Sequence, residues 1–280
     1  MAEQRDILSR PGPQPDVTMR YGELPDQVVD GWLPARGAGQ LVLVLHGGYW
    51  RHDVDRGYLA SLAADFARRG YAVACPEYRR TGDGGGWPAT FTDVAAALDA
   101  TPALLAAAAP GRVEPGPAVY AGHSAGGHLA LWGALRHRLP PGAPGRRDTA
   151  PPVRGVLGLA PVCDLAETYR RGLDLGAAGA LMGGGPGKHP DRYAAADPAA
   201  LPAPEVPTVL LQGPSDGRVP IVLTRDYAGR HGLRLIELDG ADHFAVVDPA
   251  APAWPRVLTA LTSLARPGND RPASRTETPA

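Results

Sequence analysis

Six short apolar runs, separated by helical patterns, constrain this chain more than any other feature. Residues 41–45, 71–75, 118–121, 153–160, 208–211 and 233–238 are apolar and bounded by Gly, Pro or charged residues, which reads as buried strands. Between them, Leu59, Leu62, Ala63 and Phe66 fall on one helical face, as do Val94, Ala97 and Leu98, and later Leu131, Leu135 and Leu139. Buried strands alternating with amphipathic helices predict an α/β fold: a mostly parallel central sheet flanked by helices, with function at the carboxyl ends of the strands. Residues 17–21 and 27–32 are expected to add antiparallel edge strands.

The rhythm breaks between residues 164 and 207. Short apolar pieces, the turn Gly183-Gly184-Gly185 and several prolines make this stretch too long for an ordinary connection, so a small cap insertion is expected there. From residue 266 to 280 the chain turns to Pro, Asn, Asp, Ser and Thr, which cannot repay the entropy of ordering, and a disordered tail is expected. Residues 1–265 are therefore read as a single domain. The 36 glycines and 31 prolines cluster between periodic segments, as turn residues do.

Charge and cysteine content narrow the function classes. With 28 Lys and Arg against 29 Asp and Glu, the net charge is -1, and no global field favours nucleic acid as a partner. Cys75 and Cys163 lie in apolar runs and are expected to be buried and reduced. The N-terminus is polar with no apolar leader core, and no later segment approaches the length of a membrane span, so a cytoplasmic protein without a membrane partner is expected. No histidine pair reads as a metal site, and no cofactor is expected. The oligomeric state stays open, a homodimer included.

The chemistry is concentrated in Gly122-His123-Ser124-Ala125-Gly126, a G-x-S-x-G match between the strand ending at 121 and a helix expected over 125–139. A sharp strand-to-helix turn holds a nucleophile exposed in strained backbone, and small neighbours let the flanking chains approach. A serine hydroxyl needs a base, and the base needs an acid to fix its tautomer. Asp216 follows the strand at 208–211 in a loop and suits the acid; Asp226 and Asp239 are competitors that do not fall just after that strand. His243 lies in the last strand-to-helix loop and is the expected base. After the strand at 41–45 comes His46-Gly47-Gly48-Tyr49-Trp50, where backbone N–H groups of Gly48 and Tyr49, with that of Ala125, are expected to form an oxyanion hole. His46 and Gly47 are read as bracing this loop rather than moving protons. Tyr49, Trp50, Tyr78, Trp87 and Phe244 could line an aromatic-accepting pocket for a small-molecule substrate, or could pack the loops against the core; Arg79 and Arg80 could meet a substrate carboxylate or stay solvated.

With elbow, acid, base and glycine loop in this order, the chain resembles the α/β-hydrolase superfamily over residues 17–265, and within it the H-G-G esterase-like branch. The pair H-G-G-Y-W (46–50) and G-H-S-A-G-G-H-L (122–129) is similar to the kynurenine formamidase, or arylformamidase, group. That resemblance implies a serine hydrolase releasing formate from N-formylkynurenine or a related aryl formamide through a formyl-Ser124 intermediate. In many relatives a histidine stands at the position of Gln212. A carboxylesterase on small acyl esters uses the same groups and is the alternative, followed by a peptidase of the prolyl-oligopeptidase type and by a ligand-binding homologue without catalysis.

Overall fold

A computed structural model describes residues 5–265. Its centre is an eight-stranded sheet: β1 (Val17–Arg20), β2 (Val28–Trp32), β3 (Leu41–Leu45), β4 (Ala72–Pro76), β5 (Ala118–His123), β6 (Val153–Leu159), β7 (Thr208–Gln212) and β8 (Arg234–Glu237), in the order β1-β2-β4-β3-β5-β6-β7-β8. The first two strands pair antiparallel and the rest run parallel, which is the α/β-hydrolase fold. Strands β3, β4 and β5 at the middle are buried along their whole length, whereas β1 and β8 at the edges each bury a single residue, Met19 and Ile236.

The helices are α1 (Ala60–Arg68), α2 (Ala89–Ala108), α3 (Ala125–Ala134), α4 (Leu165–Arg170), α5 (Leu173–Met182), α6 (Pro190–Ala196), α7 (Ile221–His231) and α8 (Trp254–Ala265). The alternation of side chains along β3 divides the core in two. Leu41, Leu43 and Leu45 pack with Phe91, Leu98 and Trp132 of α2 and α3, while Val42 and Val44 pack with Phe66 of α1 and Trp254 of α8. The Phe66 and Trp254 rings stack at 5.3 Å.

Two helices depart from the sequence reading. The helix expected over 125–139 ends at Ala134 and gives way to a single tight turn at Arg136–Arg138. Helix α2 has 20 residues and is long and apolar enough to cross a membrane, contrary to the expectation that no segment approaches that length. Its alanines, spread around every face, lengthen the apolar run; in the fold Phe91, Val94, Ala97, Leu98 and Leu105 are buried in the core.

The segment 164–207 supplies α4, α5 and α6. Asp197 joins its beginning to its end, accepting the N–H groups of Leu165, Ala166 and Ala199 at 2.9, 3.0 and 3.1 Å. Burial pushes this carboxyl up to about 6. At the start of α5 the backbone is left-handed at Asp174, Leu175 and Gly176, and Leu175 is 97% exposed. The expected tail at 266–280 lies outside the described residues.

Register brings the functional loops to one end. Leu45 pairs with Gly122 across β3 and β5, His123 with Leu159 across β5 and β6, and Gln212 with Glu237 across β7 and β8. The segments leaving β3, β5, β7 and β8 therefore emerge side by side.

Candidate active site

Ser124 stands between β5 and α3 with φ 55° and ψ -118°, a conformation that costs a serine about 1–3 kcal/mol and persists only where the surroundings impose it. They impose it here. The Ser124 N–H donates to the Leu159 carbonyl at 2.9 Å, and its own carbonyl accepts from His128 and Val162 at 3.2 and 3.1 Å. The two elbow glycines permit the approach: a Cβ on Gly122 would lie 2.1 Å from the Gly126 oxygen, and one on Gly126 would lie 2.0 Å from the Leu45 oxygen.

His243 Nδ1 lies 2.8 Å from Asp216 Oδ2. A carboxylate only accepts, so Nδ1 carries the proton and Nε2 is left with a lone pair, the tautomer a base needs. Neither Asp226, within α7, nor Asp239 takes this place. Asp216 Oδ1 accepts the N–H groups of Arg218 and Val219, both at 2.9 Å, and Gln212 Nε2 reaches Oδ2 at 3.0 Å. Burial pushes the Asp216 carboxyl up, but the hydrogen bonds from His243, Val219 and Arg218 outweigh it and hold the group below its ordinary value. Asp242 Oδ1 accepts from the N–H groups of Phe244 and Ala245, fixing the turn that presents His243.

The loop after β3 is held from behind. His46 is fully buried, with Nε2 2.6 Å from Glu77 Oε1, Nδ1 2.9 Å from the Gly47 carbonyl, and its ring stacked on Tyr78 at 4.3 Å. Tyr78 in turn donates to the His46 carbonyl at 2.8 Å. Gly48, Tyr49 and Trp50 all have positive φ, and the loop runs against the elbow, where a Cβ on Gly47 would lie 2.9 Å from the His123 carbonyl oxygen. Ala125 is the first residue of α3, so its N–H has no acceptor within the helix.

Ser124 and His243 line one cavity of about 350 Å³ with Gly48, Tyr49, Tyr58, His123 and Phe244, and its wall is completed by the charged Arg51, Asp53, Asp174 and Arg218 and the apolar Leu8 and Val54. Tyr49 and Phe244 thus stand where an aromatic-accepting pocket was expected, with the Arg218 guanidinium 5.5 Å from the Phe244 ring centroid. Trp50, Tyr78 and Trp87 do not. Trp50 is fully buried, its left-handed backbone turning the ring edge-on to His128 at 5.3 Å. Tyr78 is spent on His46, and Trp87 packs on Phe91 beside a separate cleft near Pro141 and Arg192. Arg79 pairs with Asp93 at 2.7 Å and Arg80 with Asp26 at 3.3 Å, so neither meets the cavity.

A model of the family described as BD-FAE matches residues 29–229, most of the sheet and every loop above except the one carrying His243. The chain belongs to the BD-FAE family. Solved structures with the same fold as this BD-FAE chain include a truncated carbohydrate esterase from gut microbiota (18% identity, TM-score 0.74, 92% of this chain and 100% of that one). Esterase B from Lactobacillus rhamnosis, inhibited by a tributyrin phosphonate, is similar at 19% identity and TM-score 0.72, over 93% of this chain and 89% of that one. A thermophilic esterase from the Planctomycetes species Thermogutta terrifontis matches at 20% identity and TM-score 0.69, over 91% and 95%. The comparison with curated proteins returned no match.

Sequence reasoning missed three residues of this BD-FAE site. Glu77 follows the apolar strand β4 and is buried against His46, Arg56 and Arg80; His46 and Arg80 overcome the upward push of burial and lower its carboxyl to about 2. An acid directly after an all-apolar strand was the only signal. Tyr58 and His123, both buried at the cavity, carry no signal of their own, since an aromatic in a helical turn and a variable elbow position are ordinary. Together the groups can deliver a hydroxyl to a carbonyl carbon, accept its proton, and surround the oxygen with main-chain donors.

Proposed function

We propose that this protein is a serine carboxylesterase that removes small acyl groups from esters with a polar alcohol portion. The observation that carries the reading is Ser124, held left-handed at the elbow and facing the same cavity as His243, whose Nδ1 is bonded to Asp216. Ser124 Oγ attacks the ester carbon while His243 Nε2 takes its proton, and the carbonyl oxygen becomes an oxyanion among the N–H groups of Gly48, Tyr49 and Ala125. The tetrahedral centre collapses as His243 returns the proton to the departing alkoxide, leaving acyl-Ser124 and the alcohol. Water, deprotonated by His243, then releases the carboxylic acid and restores the serine.

A cavity of about 350 Å³ sits at the low end for ligand sites and favours a short acyl group. The charged wall of Arg51, Asp53, Asp174 and Arg218 favours a polar alcohol over a long alkyl chain. The esterase names of the structural neighbours support the same side. The aryl formamide expected from the resemblance draws no support from these comparisons, and of the aromatic wall it was to meet, Trp50, Tyr78 and Trp87 stand outside the cavity while Tyr49 and Phe244 remain.

Comparing kcat/KM for p-nitrophenyl acetate, butyrate and octanoate with that for N-formylkynurenine tests the proposal. Acetate or butyrate should be preferred, and Ser124→Ala should abolish turnover. Formamide hydrolysis exceeding all three esters would overturn it.

A further inference from the structure

Tyr58 and His123 connect the loop after β3 to the loop that carries His243. The Gly47 N–H donates to the Tyr58 hydroxyl at 2.7 Å, that hydroxyl lies 2.8 Å from His123 Nδ1, and His123 Nε2 lies 2.9 Å from the His243 carbonyl oxygen. A carbonyl oxygen only accepts, so Nε2 carries the ring proton, Nδ1 is bare, and the Tyr58 hydroxyl must donate to it. The donors therefore run in one direction, from Gly47 through Tyr58 and His123 to the main chain of His243. Tyr58, His123 and His243 are all buried, so water offers these groups little competition.

We propose that Tyr58 and His123 are positioning residues for acyl transfer: their relay holds the glycine loop that offers the oxyanion donors in register with the main chain of the base. The proposal rests on the acyl-transfer reading of Ser124. Neither residue exchanges protons with substrate. Both ring nitrogens of His123 are committed within the relay, and burial, with the neighbouring His243, lowers this imidazole to about 3. The Gly47 N–H is likewise taken by Tyr58, which leaves stabilisation of the oxyanion to the residues that follow it. What the relay supplies is geometry, and a misplacement of about 1 Å in such a site costs on the order of 100-fold in rate.

The test compares Tyr58→Phe, His123→Gln and His123→Phe with the wild type, using p-nitrophenyl acetate kinetics, the rate of Ser124 labelling by an alkyl phosphonate, and thermal unfolding. Tyr58→Phe keeps the ring and loses the hydroxyl; kcat and the labelling rate should fall about 10- to 100-fold while KM stays within about twofold. His123→Gln can still accept from Tyr58 and donate to His243, so it should recover most of what His123→Phe loses, with the acid limb of its pH profile unmoved. The double variant Tyr58→Phe/His123→Phe should be no slower than the slower single. Tyr58→Phe at the wild-type rate, or His123→Gln no better than His123→Phe, would overturn the relay while leaving the esterase reading intact. Should Tyr58→Phe not fold, the comparison of Gln with Phe at position 123 decides alone. A wild-type protein that is neither labelled nor active on any ester would overturn both.

Discussion

Gln212 and His243 donate to the same carboxylate oxygen, Asp216 Oδ2, at 3.0 and 2.8 Å. Gln212 also donates to the Val219 carbonyl at 2.6 Å, tying both ends of the acid loop to the last residue of β7. Replacing it by Met keeps the length and removes the donor. With one hydrogen bond fewer to the anion, the Asp216 carboxyl rises, so activity should begin to fail at a higher pH as the solution is acidified. A kcat/KM profile from about pH 4 to 8 should show that shift and a loss of about 3- to 10-fold at neutrality. An unchanged profile would assign Gln212 to packing alone.

Acid stability should depend on Glu77. Its folded value of about 2 lies below the ordinary 4.5, so its contribution is complete above about 4.5 and is lost as pH falls toward 2. The size is on the order of 3 kcal/mol. Glu77→Gln should lower the urea midpoint most at neutral pH, and its difference from wild type should shrink on acidification through that window. His123 and His128, lowered by burial to about 3 and about 4, act at higher pH: the unfolded chain takes up their protons first, so both proteins should also weaken below about pH 6.5.

Two glycines should respond to alanine in opposite directions. At Gly126 a methyl group would sit 2.0 Å from the Leu45 oxygen and 2.4 Å from that of His46, both main chain, so the variant should lose more than about 3 kcal/mol or fail to fold. At Gly229, exposed on α7, nothing lies within 4 Å, and alanine should raise stability by about 0.5–1 kcal/mol. Thermal melts of the two variants check both signs.

Arg51 holds the 164–207 segment to the wall of the cavity, with Nε 2.7 Å from Asp174 Oδ2 and a terminal nitrogen 2.6 Å from the Asp174 carbonyl. Asp174→Ala removes only the side-chain half of this latch. A loosened mouth should raise KM about 3- to 10-fold with a smaller change in kcat, and the stability change should stay below about 1 kcal/mol because both groups are partly solvated. A fall in kcat at constant KM would place Asp174 in the chemistry instead.

The sheet and the order Ser124, Asp216, His243 were legible in the sequence because both rest on local patterns: apolar runs of strand length and loops directly after them. The pocket was not. Which way Trp50 points depends on positive φ at Tyr49 and Trp50 themselves, and no residue type at those positions announces it. Tyr78 reads as an aromatic available to a ligand until His46 is seen lying flat against it. Glu77, Tyr58 and His123 act through partners 31, 11 and 120 positions away, separations that periodicity cannot encode. The length of α2 was missed for a different reason, since alanine on every face hides the stripe that marks a helix.

The three N–H groups gathered on Asp197 clasp the beginning of the 164–207 segment to its end, while Arg51 after β3 and His128 and Trp132 of α3 tie the segment to the rest of the fold through the carbonyls of Asp174, Ala196 and Ala195. The elbow that carries Ser124 is fixed separately, by close main-chain approaches among β3, β5 and α3 that tolerate no added carbon. Diversification is thereby channelled: a replacement of another length and composition must reproduce both that clasp and the ties to Arg51, His128 and Trp132. Exchange of this segment with those ties kept is thus a route to new substrates in which the loops of Ser124, Asp216 and His243 are inherited unchanged.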